Sequence, residues 1–414
     1  MSQVRTVRGT HDLYGETMRR HRHVVDTSRG IAELYGYGEI ETPILEFNEI
    51  FARTLGETSD VVNKEMYSFD DRGGDRLTLR PENTASIVRA VITNGLTQDL
   101  PIKLFYSGPM FRYERPQKGR QRQFHQIGVE LIGAAEPAAD IEVIALASHV
   151  LKALGLGDQV VLELNSLGDL ESRAAYRETL VAYLSDHRES LSKDSQDRLE
   201  RNPMRILDSK DEGDRQIVRD APRMVDSFND ASRAFFDEVC GGLDLLGVTY
   251  TRNDRLVRGL DYYTHTAFEF TTTALGAQGT VIAGGRYDGL MKQIGGPDRP
   301  GIGWAGGIER LGMLLEAEPP ASRPIAIVPI GDAAQSAASA LAMELRHAGL
   351  PVELAFKGKP GQRMKRADRL SARFALSLGD DELAQGTVQL RDLDSGETTS
   401  IKRASVVGHL RNNS

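Results

Sequence analysis

The sequence predicts a mixed α/β (α+β) chain in three parts: an antiparallel-sheet domain, a helical segment inserted into it, and a small C-terminal α/β domain. Three observations carry this expectation. Up to about residue 165, short strand patterns are separated by turn signals at hairpin spacing. From about 169 to 246 the strand signal gives way to charged segments with apolar residues at helical spacing. Beyond Glu318-Pro-Pro-Ala-Ser-Arg-Pro, a linker by composition, strand and helix patterns alternate. The expected boundaries are 1–318 for the interrupted core, 170–246 for the insertion and 324–414 for the last domain. A length of 414 residues accommodates them at roughly 150 residues per domain.

Residues 17–34 read as a helix with charged and apolar faces, stopped by Tyr35-Gly-Tyr-Gly. The following Glu39-Ile-Glu-Thr-Pro-Ile-Leu is extended, and Pro43 favours an edge or interface position. Strands are expected at 66–70, 77–80, 102–108 and 126–132, with turns at Asp71-Arg-Gly-Gly and Lys118-Gly-Arg. After the insertion, strands resume over 248–270 and 280–283, and Gly301-Ile-Gly-Trp-Ala-Gly-Gly leads into a helix from 308 to about 315. In the last domain, strands at 325–330, 351–356, 374–378 and 387–393 alternate with helices at 333–348 and 362–370, an order that implies parallel pairing.

Hydrophobic residues at 40% and charged residues at 27% exclude wholesale disorder. The single cysteine, Cys240, forms no intrachain disulfide, and no Cys/His group has zinc-finger spacing. There is no signal-peptide pattern and no apolar run near the ~20 residues of a membrane helix. The expectation is a cytoplasmic protein with no membrane contact. The net charge of −8 argues against general coating of nucleic acid. Charge is nevertheless uneven: from Pro324 onward the net is +2, and 112–122 holds five basic residues against Glu114.

No Gly-x-x-x-x-Gly-Lys-Ser/Thr loop is present. Gly301, Gly303 and Gly306 match a dinucleotide pattern formally but lack its βαβ frame, so close approach to a strand explains them better. The densest segment runs from Tyr106 to Ile132, two strand candidates joined by a basic loop. Period two puts Gln126, Gly128 and Glu130 on one face. Buried, that face needs a ligand or partner to satisfy it; on a half-exposed sheet the same pattern simply meets water.

Phe111-Arg112-x-Glu114, with its basic loop ending at Phe124, resembles motif 2 of the class II aminoacyl-tRNA synthetases. Gly303-Trp-Ala-Gly-Gly-Ile-Glu-Arg310 resembles their motif 3, and the helix and strand around Pro43 resemble motif 1, the dimer-forming element. Leu256-Val-Arg258-Gly-Leu-Asp-Tyr262-Tyr263, Ala283-Gly-Gly-Arg-Tyr287-Asp, Arg80-Pro-Glu82-Asn-Thr84 and Leu207-Asp-Ser-Lys narrow the resemblance to the histidyl-tRNA synthetase family. It covers essentially the whole chain and implies a class II catalytic domain with an anticodon-binding domain after it.

The resemblance implies a histidine–tRNA ligase acting as a homodimer on L-histidine, ATP with Mg²⁺, and tRNA(His). It implies that Arg112 bridges the histidine carboxylate and the α-phosphate, that Arg258 approaches that phosphate from the other side, and that Arg310 and Arg120 hold the outer phosphates. Guanidiniums suit this work because they stay charged and bond two oxyanions at once. Glu114 would read the adenine edge while Phe124 stacks on the ring. Glu130 and Tyr263 would contact the imidazole, Glu82, Thr84 and Gln126 the α-ammonium, and Tyr262 and Tyr287 would wall the pocket. Asn83 stands where the family commonly has glycine, and its tolerance of left-handed backbone would keep a glycine-like turn. Arg115, Pro116 and Gln117 lie where related enzymes read the acceptor end. No metal ligand from the protein is assigned. The rival reading, a histidine-binding regulatory subunit without ligase activity, typically lacks the C-terminal domain and the phosphate-binding arginines. The last domain's cation cluster, Lys357 to Arg369, is either a solvated helix face or an RNA contact.

Overall fold

A computed structural model describes residues 4–55, 61–257, 262–276 and 279–413. The chain divides into two compact units, Met1–Pro319 and Pro320–Ser414. No helix among the described residues is long and apolar enough to cross a membrane.

The strands of the first unit are β1 (Gly38–Glu39), β2 (Leu45–Phe47), β3 (Tyr67–Asp70), β4 (Arg76–Leu79), β5 (Ile102–Phe111), β6 (Gln123–Ile132), β7 (Val161–Ser166), β8 (Thr251–Arg252), β9 (Thr264–Thr271), β10 (Thr280–Arg286) and β11 (Gly301–Gly307). Eight form one sheet in the order β1-β5-β6-β11-β10-β9-β7-β8, antiparallel throughout its centre, with parallel pairs only at the two edges. The β5–β6 hairpin pairs residues 102–111 with 123–132, longer than the sequence pattern indicates. A second sheet, β2-β4-β3, lies apart from the first. Pro43 falls between β1 and β2, outside any ladder. The expected strand over 248–270 is corrected to β8 and β9. Residues 253–257, 262 and 263 belong to neither, as their turn residues (Asn253, Asp254) and paired tyrosines do not sustain a ladder.

Helices α1 (Gly15–Leu34), α2 (Asn48–Leu55), α3 (Thr84–Thr93) and α4 (Pro137–Ala153) precede the insertion; α5 (Leu170–Asp186), α6 (Lys193–Arg201), α7 (Glu212–Arg219) and α8 (Asp230–Leu245) form it; α9 (Leu290–Gln293) and α10 (Ile308–Leu314) follow. Side-chain caps from Asp169, Ser192, Asp211 and Asn229 start α5 to α8, which is why a segment poor in strand signals resolves into short helices. Helices α1, α4 and α10 pack together on the sheet, and Trp304 Nε1 donates to the Val143 carbonyl of α4 at 3.1 Å.

The centre of the sheet is pinched by glycines. Gly303 on β11 pairs with Glu130 on β6, and a methyl there would collide with the Glu130 carboxylate and the Val129 carbonyl. At Gly128 a methyl would strike the Tyr106 ring. The glycines that read as sites of close approach hold that role within the sheet itself.

In the second unit, β12 (Ile325–Pro329) lies between β13 (Val352–Leu354) and β14 (Phe374–Leu378), all parallel. These are the parallel pairings that the strand–helix alternation implies; β15 (Thr387–Asp392) and β16 (Thr398–Lys402) extend the sheet antiparallel. A tight turn through Ser395 and Gly396 after β15 permits a hairpin where a crossover helix would be needed for a parallel strand. Helices α11 (Ala333–His347), α12 (Pro360–Arg369), α13 (Asp380–Gln385) and α14 (Val406–Arg411) complete this unit.

Candidate active site

A cavity of about 320 Å³ lies among β5, β6, β9, β10 and β11. Glu82, Thr84, Gln126, Tyr262, Tyr263 and Tyr287 line one part of it; Arg112, Glu114, Arg120, Phe124 and Arg310 line the other. Arg115 and Gln117 are exposed on the loop joining β5 to β6. Arg258, with Gly259, Leu260 and Asp261, lies outside the described residues.

At the tyrosine end, Glu82 caps α3: its carboxylate accepts from the Thr84 N–H at 2.6 Å and the Ala85 N–H at 3.1 Å. Burial raises its pKa, while those two N–H groups and the Arg112 charge draw it back. Glu130 is fully buried behind the cavity wall. Its two oxygens accept from Thr84 Oγ1 at 2.7 Å and Tyr287 OH at 2.6 Å. Burial lifts its pKa to about 8, against the pull of both hydroxyls and with a further push from Glu82. Through these bonds Glu130 orients Thr84 and Tyr287, which line the cavity with its carboxylate directly behind them.

Tyr262 and Tyr263 both line the cavity, their rings 4.7 Å apart; the segment is not a strand, so neighbours there can face the same way. Asn83 does not line it. Its Oδ1 accepts from Thr42 Oγ1 at 2.8 Å and Arg80 Nη1 at 3.0 Å, and its backbone is right-handed (φ −117°, ψ −13°). No glycine-like turn is needed there, and the Asn83 side chain turns to Thr42 and Arg80 rather than to the cavity.

At the arginine end, Arg112 Nε donates to the Pro81 carbonyl at 2.9 Å, and its guanidinium lies 5.5 Å from the Phe124 ring centre. Arg310 donates to the Gly119 and Thr280 carbonyls at 2.9 and 2.8 Å. Burial lowers its pKa, and the neighbouring charges of Arg120 and Arg112 lower it further. Three guanidiniums close enough to repel one another mark a place built for a polyanion. Glu114 and Arg120, expected to act on adenine and phosphate separately, are ion-paired to each other, since a carboxylate this buried draws in the nearest cation.

Sequence reasoning passed over Tyr106 and Glu269. Tyr106 lines the cavity, and its hydroxyl and Gln126 Oε1 are buried polar atoms without hydrogen-bond partners among the described residues. Glu269 lines the arginine end and accepts from Thr280 Oγ1 at 2.8 Å. A single acid within the otherwise neutral run Thr264–Thr271 was the readable signal.

An antiparallel sheet framing one arginine just after β5 and another on α10 beside a polar pocket is the arrangement that defines a class II aminoacyl-tRNA synthetase. Residues 9–311 match the histidyl-tRNA synthetase family model and 324–413 an anticodon binding domain. The chain is 62% identical to the histidine–tRNA ligase of Rhodospirillum rubrum over 97% of both chains, and 58% identical to that of Gluconacetobacter diazotrophicus over 99% of both. The crystal structure of apo histidyl-tRNA synthetase from S. aureus superposes with a TM-score of 0.83 at 37% identity, covering 98% of this chain and 99% of that one. The chain belongs to the histidyl-tRNA synthetase family, and is an ATP-using ligase that joins histidine to tRNA. Full-length similarity to ligases, C-terminal domain included, sets the regulatory-subunit reading aside.

Proposed function

We propose that the cavity carries both half-reactions. Histidine sits among Thr84, Gln126, Tyr262, Tyr263 and Tyr287, and ATP along Arg112, Phe124, Arg120 and Arg310. The histidine carboxylate attacks the α-phosphate, forming histidyl-adenylate and expelling pyrophosphate. Arg112, immediately after β5, and Arg258, by its place in the motif, neutralise the phosphate as charge builds on it. The 3′-terminal ribose hydroxyl of tRNA then attacks the adenylate carbonyl, forming the histidyl ester as the acyl–phosphate bond breaks and AMP leaves, its phosphate taking up the hydroxyl proton. Positioning and charge stabilisation carry both steps, with no side-chain base required. What supports this most is one observation: Arg112, Arg120 and Arg310 line the same cavity as the three tyrosines. Mg²⁺ would enter with ATP. Glu269, at the arginine end, offers a carboxylate to its water shell, which suits an ion that keeps most of its waters.

Three surfaces fit tRNA. The exposed loop bearing Arg115 and Gln117 continues into cavity-lining residues 119–121, which suits reading of the acceptor end. In the insertion, Arg173, Arg177, Arg201 and Arg205 line a cavity of about 220 Å³ together with Tyr263, with no carboxylate among its lining residues; this suits backbone phosphates. In the second unit, Phe356 is 82% exposed beside Lys357 and Lys359, a pairing of ring and cation that suits an unstacked base. On these grounds 1–318 is the catalytic core, 170–246 an acceptor-arm insertion and 324–414 the anticodon domain. Exposed Ile44, Leu45, Phe47 and Phe69 around the motif 1 segment suit a homodimer interface, and the free, buried Cys240 suits a reducing cytoplasm.

Histidine-dependent ATP–pyrophosphate exchange, followed by charging of purified tRNA(His), tests the reading. Both activities are expected. Exchange without charging would leave the adenylate step and remove the tRNA role, and absence of both would overturn the assignment.

A further inference from the structure

We propose that His21, His125 and Glu309 form a binding site for a divalent transition metal of the zinc type. The three residues come from α1, β6 and α10, far apart in sequence, so no spacing motif announces them. Each offers one ligand atom, and all three atoms lie within 4.8 Å of one another. The imidazoles meet edge to face, ring centres 4.7 Å apart at 82°.

The carboxylate is already aimed. Both Glu309 oxygens accept from the His125 backbone N–H at 3.0 Å, and Oε1 lies 2.7 Å from His125 Nδ1. A carboxylate accepting these bonds keeps lone pairs for an ion. His21 is the informative member: its half-buried ring meets His125 but makes no hydrogen bond to the protein among the described residues. A helix that spends a half-buried imidazole this way presents an unused nitrogen to two other donors. Two imidazoles and one carboxylate, with a further position open to water, is a donor set that zinc takes readily. A tetrahedral ion draws its ligand atoms to roughly 3.3 Å from one another, so the widest spacing here closes by a small rotation of partly exposed side chains. The bound ion ties α1 to the strand carrying Phe124 and the helix carrying Arg310. It therefore braces the wall of the ATP end without taking part in the chemistry.

The test uses the full chain, with Zn²⁺ and Co²⁺ as probes. Calorimetric titration of wild type should show one Zn²⁺ per chain, and Zn²⁺ should raise the unfolding temperature. His21→Gln should bind at least about tenfold more weakly and lose that thermal response, with histidine-dependent exchange in zinc-free buffer unchanged. His21→Cys places a thiolate at the same point. With Co²⁺ it should show a near-ultraviolet thiolate charge-transfer band that wild type, whose Cys240 is buried elsewhere, does not. Equal Zn²⁺ affinity in wild type and His21→Gln, or no such band in a His21→Cys chain that retains exchange activity, would overturn the proposal. The His125–Glu309 contact would then be an ordinary hydrogen-bonded pair.

Discussion

Tyr287 donates its hydroxyl proton to Glu130 at 2.6 Å, and through that bond a carboxylate with no solvent exposure governs a ring that walls the cavity. Tyr287→Phe leaves the ring but strands one oxygen of Glu130, a loss of about 1–2 kcal/mol. The KM for histidine in pyrophosphate exchange should rise roughly tenfold, with kcat less affected. An unchanged KM would remove Tyr287 from the histidine pocket.

Glu130 also makes stability depend on pH. Folded, it holds its proton to about pH 8; an unfolded glutamate releases it near its ordinary value of 4.5. Between those values the native state binds more protons, so this contribution is complete below pH 4.5 and is lost as pH rises towards 8. Denaturant melts of wild type and Glu130→Gln across pH 5–8 should converge at low pH and separate at high pH, with wild type losing the more stability. Parallel curves would show that Glu130 ionises freely in the fold.

The arginines should report on the chemical step. Arg258→Ala and Arg310→Ala are each expected to lower histidine-dependent exchange by about 10²-fold, the scale of losing one transition-state donor. A wild-type rate in either variant would refute that residue's role.

Asn83 should behave as a structural residue. Its Oδ1 is a shared acceptor for Thr42 and the buried Arg80 guanidinium, so Asn83→Gly should cost about 1–3 kcal/mol in a urea melt. The KM for histidine should stay put. A large rise in KM without loss of stability would instead make Asn83 a histidine-binding residue.

The insertion's arginine cavity makes a separable claim. Arg177→Glu with Arg201→Glu should raise the KM for tRNA severalfold while leaving pyrophosphate exchange intact. The salt dependence of tRNA binding should flatten by about 0.7 in log–log slope for each single-strand phosphate no longer neutralised. Unaltered tRNA kinetics would show that these side chains face only water.

What could be read in advance followed from local chemistry. The β5–β6 hairpin and the helical insertion declare themselves through residue type and short-range spacing, and the arginines of the two motifs through the family resemblance those motifs carry. Orientation did not. Period two placed Glu130 on the right face, but its withdrawal behind Thr84 and Tyr287 depends on hydrogen bonds to residues 46 and 157 positions away. Asn83 turns to Arg80 and Thr42 for the same reason, a buried guanidinium drawing in the nearest acceptor. Tyr106 was hidden because its role rests on a missing neighbour, Gly128, whose lack of a side chain leaves room for the ring.

The glycine pinch at Gly128 and Gly303 has an evolutionary corollary. The sheet beneath the cavity has no slack at these positions, so even one added carbon collides with Tyr106 at Gly128 and with Glu130 at Gly303. Gradual change of the cavity is closed at its first step at these glycines, and a lineage reshaping it would have to begin with the side chains that line it.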